Sequence, residues 1–457
     1  MPTKAFWLAI FCPLVLAAQA ADLPHDFSER VQAALAQSHA PSVSTAVVMD
    51  GKLAFAGAFG QADIAAARPA TTATRYAVGS ISKQFTAAAM LLLQQQGRLS
   101  LDDHVAKFFP ELTRAHEVTL RQLLSHTAGY EDYAPQDYLI PEWTRPTTTA
   151  AILRGWAAKP LNFDPGTRWQ YSNTGYVLAA AIIEKVAGQP LVPLLRATIF
   201  DPLGMASAGD CNDHSAADAS PYTRFALGPP RPVGREAAGW YNGAGELCMT
   251  ATDVAKWDIA VLQKRILAPA SYQAFFTEIK LASGAGTHYA LGLQTAERNG
   301  VPVLAHSGEV SGFLAYNAIY PTLNGAVVVL SNQDGVNLIG PLSAQLAARA
   351  FPALQPAGGA DVAEVQAILE GLAHGEIQEG RFTSNARSYF TPTALADIRA
   401  SLTPLGPLQS VVRSSETLRG GMTHRGYLAK YEHKSLVLNI YVMPDGKYEQ
   451  FLIEEQL

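Results

Sequence analysis

Charge is scarce in this chain of 457 residues. Asp, Glu, Lys and Arg make up 16%, against roughly 25% in an average soluble protein. Lys plus Arg number 34 against 39 Asp plus Glu, a net charge of -5. No basic excess is present to neutralise phosphates, which argues against a nucleic-acid binder. Long apolar runs are missing beyond residue 20. None reaches the ~18 residues that a membrane helix needs, so no membrane span is expected in the mature chain. Cysteine is rare, with three residues, which excludes a disulfide-dense mini-domain. Apolar residues reach 48%, too many for a disordered chain and enough for a sizeable core. The length fits about three domains, or one large domain and one small one.

The first twenty residues have the pattern of a secretory signal. Lys4 supplies a charged start, Phe6 to Leu16 an apolar stretch, and Ala18-Gln19-Ala20 an A-x-A cleavage site. Mature protein then begins at Ala21, and export to the periplasm or the medium is expected. Cys12 lies inside this segment and follows Phe11, not a small residue, so no lipoprotein anchor is read. Cys211 and Cys248 remain as a disulfide candidate for an oxidising compartment. Spacing alone leaves two free thiols as the alternative.

Residues 27–38 have helical periodicity. Ser44 to Met49 and Leu53 to Ala58 alternate as strands around the Asp50-Gly51 hairpin turn. Helices are expected at 81–96, 119–125, 147–157, 174–187 and 190–198. Strands return at Tyr289–Thr295, Val301–Ala305, Phe313–Tyr320 and Ala326–Leu330, with Asn299-Gly300 and Asn324-Gly325 as hairpin turns. A helix follows at 337–350. The expected architecture is α+β: one antiparallel sheet flanked by helices, and an inserted helical lobe with a cleft beside it. Residues 21–352 form this domain. A Pro- and Gly-rich linker covers 353–362. Residues 363–457 read as a small α+β accessory domain, with helices at 362–373 and 392–400 before four strands. Pro444-Asp445-Gly446-Lys447 joins the last two.

Three short motifs carry chemistry. Ser80-Ile81-Ser82-Lys83 opens a helix, so Ser80 and Lys83 share one face of its first turn. Unpaired N–H groups and partial positive charge there favour an alkoxide and a nearby oxyanion. Lys83, held neutral by burial, can take the serine proton. Tyr171-Ser172-Asn173 precedes the 174–187 helix, where Ser172 or Asn173 can also serve as a cap. His306-Ser307-Gly308 ends an expected strand, where a plain reading is an edge histidine before a glycine bulge.

Together and in this order, these motifs resemble the penicillin-recognising serine hydrolases: class C β-lactamases, DD-carboxypeptidases and related esterases. That family carries S-x-x-K, then S-D-N or Y-x-N, then a K-T-G-type triad. Leu123-Leu124-Ser125-His126-Thr127-Ala128-Gly129-Tyr130 is similar to the family's L-L-S-H-T-S-G segment. Gly243-Ala244-Gly245-Glu246-Leu247, with Thr250, Asp253 and Trp257, is similar to its G-G-L-x-S-T-x-x-D-L-x-x-W region. The resemblance covers about 25–350. It implies that Ser80 accepts an acyl group and that Lys83 and Tyr171 are its proton-transfer partners. It implies that Asn173 aligns Lys83 or the substrate amide, and that His306, Ser307 and Gly308 line the opposite wall. The amides of Ser80 and Glu309 would form the oxyanion hole.

The departure is His306 where the triad has lysine. With an ordinary pKa near 6.5 it would be only partly charged at pH 7 and a poorer anchor for a substrate carboxylate. D-amino-acid peptidase, DD-carboxypeptidase or esterase action on a small-molecule or short-peptide substrate is therefore expected over efficient β-lactamase action. The alternative is a non-catalytic peptide or β-lactam sensor. The accessory domain is similar to nuclear-transport-factor-2-like modules, with turns at Gly420-Gly421-Met422 and Pro444-Asp445-Gly446-Lys447. It suggests a homodimer through that domain. No G-x-S-x-G, H-E-x-x-H, Walker A or dinucleotide motif occurs, and the histidines are scattered. Neither a metal nor a cofactor is expected.

Overall fold

Strands from both ends of the first 350 residues meet in one sheet. The computed structural model describes residues 14–136, 138–226, 228–354, 360–419 and 421–455. The chain divides into two compact units, Met1–Pro352 and Ala353–Leu457. The first holds a seven-stranded sheet. Its order is Arg68–Pro69, Lys52–Asp63, Ser42–Met49, Gly325–Ser331, Phe313–Tyr320, Val301–Val310 and Gln294–Arg298. All its neighbours are antiparallel, and the two chain ends join at Val43 opposite Ser331 and Val48 opposite Ala326.

The Gly325–Ser331 strand is buried at every position. Both of its faces are therefore covered. Helices Leu14–Ser38 and Ile339–Ala350 pack on each other and on the sheet, and helix Ala251–Leu262 packs on the same central strands. The Asp50-Gly51 turn has φ of 50° and 68°, the left-handed pair that a two-residue hairpin requires. The helical lobe is built on Ser82–Gln95 and Asn173–Ala187, which pack on each other. Ala, Leu and Met dominate the first of these, good helix formers that leave little to desolvate.

Several elements differ from expectation. Tyr289 to Leu293 is a tight turn, closed by Ala290 N–H donating to Leu293 O, and the edge strand is Gln294–Arg298. The His306 triad does not end a strand. Val301–Val310 continues through it with unbroken register to Phe313–Tyr320, while its pairing with Gln294–Arg298 stops at Ala305, so His306 does lie at an edge but the glycine-bulge reading fails. Asn324-Gly325 is no two-residue hairpin: Pro321–Leu323 forms a helical turn and only Asn324 is left-handed, at φ 47°. The 147–157 and 190–198 helices end in wider π-helical turns at Leu153–Ala157 and Arg196–Phe200. Helices Ala251–Leu262 and Pro269–Phe276 were not anticipated by periodicity.

The first described helix runs unbroken through the Ala20–Ala21 step to Ser38. Residues 1–13, with Lys4, Cys12 and most of the apolar stretch, lie outside the described residues, as do 355–359 of the expected linker and Gly420. No single helix among the described residues is long and apolar enough to cross a membrane.

In the second unit, helices Ala360–His374, Ser384–Tyr389 and Pro392–Leu402 precede a four-stranded antiparallel meander. Its strands are Leu408–Arg419, Met422–Tyr431, Ser435–Val442 and Tyr448–Glu455. Ser435–Val442 alternates between partly and fully buried residues. Leu436, Leu438 and Ile440 point to a core shared with Val365, Leu369 and Leu372 of the first helix.

Candidate active site

Ser80 sits in a helical turn, Gly79–Ile81, that leads into the Ser82–Gln95 helix. The turn is pressed against the Val301–Val310 strand. A Cβ on Gly79 (φ 50°) would lie 2.8 Å from Glu309 N, and one on Gly308 would lie 2.0 Å from Val78 O and 3.2 Å from Ser80 N. Only glycines allow this approach. It brings the amides of Ser80 and Glu309 into one neighbourhood.

Lys83 follows one turn later and is fully buried. Its Nζ donates to Ser80 Oγ at 2.9 Å, Asn173 Oδ1 at 2.8 Å and Ala244 O at 2.7 Å. Burial brings its pKa down to about 7, against the opposing pull of the Asp132 and Glu246 carboxylates. The same helix grips the 243–247 segment. Thr86 donates to Gly243 O, and Leu247 N–H donates to Ser82 Oγ.

Tyr171 OH donates to Ser80 Oγ at 2.7 Å. The serine oxygen is thus held between an amine and a phenol. Ser172 is the cap of the Asn173–Ala187 helix, accepting from Gly175 N–H. The capping position of Ser172 is therefore compatible with Tyr171 and Asn173 reaching Ser80 and Lys83. Asp132 accepts from the backbone N–H of Asn173 at 3.0 Å and from its Nδ2 at 3.3 Å. This turns Asn173 Oδ1 toward Lys83. Burial raises the Asp132 pKa.

His306 faces the same pocket but is 2% exposed. Its Nε2 shares a hydrogen with Tyr289 OH at 2.8 Å, and its Nδ1 meets Ser307 O at 2.5 Å. Burial first, then the Lys83 charge, brings its pKa down to about 3. The expectation of a partly charged histidine is corrected: both nitrogens are engaged and the ring is neutral throughout the physiological range. Ser307 and Glu309 are exposed on the other phase of the strand, and Gly308 is buried.

The cavity around Ser80 measures about 540 Å³. Asp132, Glu236 and Glu309 contribute carboxylates to its lining, and among the described residues no Lys or Arg lines it. A second cavity of about 590 Å³ shares Glu236, Tyr241, Gly245, Val310 and Ser311 with it. The groove therefore continues past the serine. Cys211 and Cys248 are joined in a disulfide with Cα atoms 4.9 Å apart. It ties Gly209–Asp210 to Leu247–Met249, which also pairs with Tyr76–Ala77 just before the serine.

Sequence reasoning missed Asp132, Tyr289 and Glu246 as neighbours of the site. Asp132 lies in no short motif, and Tyr289 was read as strand. Glu246 did carry a signal, because it stands where the G-G-L motif has its second glycine. Burial raises its pKa to about 7.

This fold, with a buried lysine and a tyrosine on one serine, defines a serine hydrolase built on the β-lactamase/transpeptidase plan. The Beta-lactamase family model matches residues 27–350, and the chain belongs to that family. Penicillin-binding protein 4* of Bacillus subtilis (strain 168) is 27% identical over 323 residues, covering 66% of this chain and 70% of that protein. The D-aminopeptidase of Brucella anthropi is 28% identical over 283 residues, 60% of this chain and 52% of its own length. Among solved structures, the octameric penicillin-binding protein homologue from Pyrococcus abyssi covers 94% of this chain and 99% of itself. Its TM-score is 0.62 at 22% identity. The D-stereospecific amidohydrolase from Streptomyces sp. covers 70% of this chain and 95% of itself, with a TM-score of 0.58 at 26% identity.

Proposed function

We propose that the first unit hydrolyses amide bonds of small D-amino-acid amides or short peptides that carry a free amino group, through an acyl-enzyme on Ser80. The observation that carries the reaction is Ser80 Oγ between Lys83 Nζ and Tyr171 OH. Neutral Lys83 takes the serine proton as Oγ bonds to the carbonyl carbon. The amides of Ser80 and Glu309 receive the oxyanion. Tyr171 passes a proton to the leaving nitrogen as the C–N bond breaks. Water then attacks the ester, its proton returning through Tyr171 and Lys83, and Ser80 is released.

The choice of substrate rests on charge. A pocket with carboxylates at Asp132, Glu236 and Glu309 suits an ammonium group and disfavours the carboxylate of a penicillin. The D-aminopeptidase and D-stereospecific amidohydrolase relatives support the same reading. Export follows from the Lys4-to-Ala20 pattern, and the Cys211–Cys248 bridge supports an oxidising compartment. The second unit serves self-association. The octameric homologue, which matches 94% of this chain, supports an assembly larger than a dimer, and light scattering of the full chain decides its size.

The test is a panel: D-alanine p-nitroanilide, its N-acetyl derivative and a chromogenic cephalosporin, each with wild type and Ser80→Ala. The free amine should have the highest kcat/KM, lost in the variant. Faster turnover of the cephalosporin, or no preference for the free amine, would overturn the substrate reading.

A further inference from the structure

His126 belongs to the Leu123–Tyr130 segment and packs against Tyr171, whose hydroxyl meets Ser80. It is 2% exposed and holds a left-handed backbone, φ 61°. It grips the chain on both sides of Tyr171. Its carbonyl accepts from Gln170 N–H at 3.0 Å, and its Nδ1 accepts from Ser172 N–H at 3.1 Å. Between those two bonds its ring lies against the Tyr171 ring, with centroids 4.2 Å apart and planes 36° from parallel. Tyr289, Tyr176 and Trp169 close the other sides at 4.7, 5.2 and 5.9 Å.

The geometry also defines a tautomer. Nδ1 accepts a hydrogen bond, so it carries no proton, and the ring hydrogen sits on Nε2. An imidazolium could not accept the Ser172 N–H. It would also place a charge among four aromatic rings, close to Lys83. Desolvation, reinforced by the Lys83 charge, keeps the ring neutral. A tyrosine can occupy several staggered χ1 wells with a broad χ2, so packing decides where its hydroxyl lies. Here the backbone on both sides and one face of the ring are held by a single residue.

We infer that His126 is the positioning residue that keeps the Tyr171 hydroxyl on Ser80, acting through Tyr171 and not by touching substrate. The inference rests on the reading that Tyr171 moves a proton for Ser80. Asp132 does the parallel work one residue further on, through Asn173.

The two contributions separate in two variants. His126→Ala removes both the Nδ1 acceptor and the ring. His126→Asn keeps an acceptor near the Nδ1 position and tolerates φ near +60°, but loses the ring. Both are made in the full chain, alone and with Tyr171→Phe, and assayed with p-nitrophenyl acetate, a neutral ester. His126→Ala should lower kcat by about tenfold or more, within the range of a general acid–base group, with little change in KM. His126→Asn should recover part of that loss. In the Tyr171→Phe background, His126→Ala should cost less than about threefold further, because the group it positions is gone.

Additive losses in the double variant would overturn the inference, since they mean that His126 acts elsewhere. Wild-type kcat in His126→Ala would overturn it too. If that variant fails to fold, the cycle runs on His126→Asn with the same criteria. Wild-type kcat in Tyr171→Phe would instead overturn the underlying reading of Tyr171, a separate result.

Discussion

The burial of Lys83 makes a quantitative claim about pH. Its pKa falls from an ordinary 10.5 to about 7. An ordinary lysine is neutral in roughly one molecule in three thousand at pH 7, whereas half of the buried Lys83 is. Serine activation needs that neutral form. The neutral fraction is about 1% at pH 5 and about 90% at pH 8, so acylation should climb about ninetyfold between them and then level off. The assay is the rate of Ser80 labelling by a neutral fluorophosphonate, which removes substrate ionisation from the profile. Glu246→Gln adds a second constraint. Glu246, whose own pKa is about 7, holds the Lys83 pKa up only where it is ionised, so its removal should move the inflection toward lower pH by a fraction of a unit. A flat profile from pH 5 to 8, or an inflection near 10, would refute the claim that burial makes Lys83 the base. An upward shift in Glu246→Gln would refute the sign of the coupling.

Three further outcomes are expected. Lys83→Ala and Tyr171→Phe should each lower kcat by more than about tenfold while the urea midpoint shows a folded protein; wild-type turnover in both would require another route to the alkoxide. His306 is neutral above about pH 3 when folded but titrates near 6.5 when unfolded. The unfolded chain therefore binds more protons between those values. This group's contribution falls as pH drops from 6.5, by about 2 kcal/mol at pH 5, and is constant above. Urea melts of wild type and His306→Gln at pH 7.5 and 5 should show the variant losing less stability in acid; equal losses would contradict the neutral histidine. The Cys211–Cys248 bridge spans 37 residues and is worth about 4 kcal/mol in the loop-entropy description. Reduction should lower the Tm measurably, and an unchanged Tm would show that the 211–248 loop is held by other contacts.

What was legible in the sequence is what depends on short spacing. Ser80 and Lys83 are one turn apart, so their contact follows from the helix alone. Tyr171 and Asn173 form a motif in the sequence, and the structure places Tyr171 on Ser80 and Asn173 on Lys83. The sheet was legible because Val- and Ala-rich runs of strand length at both ends are punctuated by turn signals such as Asp50-Gly51 and Asn299-Gly300. Asp132 and Tyr289 were not legible. They reach the site through loop paths set by the whole lobe, and no local period marks them. The charge of His306 was hidden for a different reason. Its residue type suggests titration near neutrality, but burial and two hydrogen-bond partners decide its pKa, and both are tertiary facts.

The claim on which everything else depends is that Ser80 becomes acylated. Full-length protein is incubated with a fluorophosphonate and with a slow p-nitrophenyl ester, then subjected to intact-mass analysis and peptide mapping. One adduct per chain is predicted, on the peptide that contains Ser80, and none in Ser80→Ala. An adduct that persists in Ser80→Ala, or one that maps to another residue, would contradict the account.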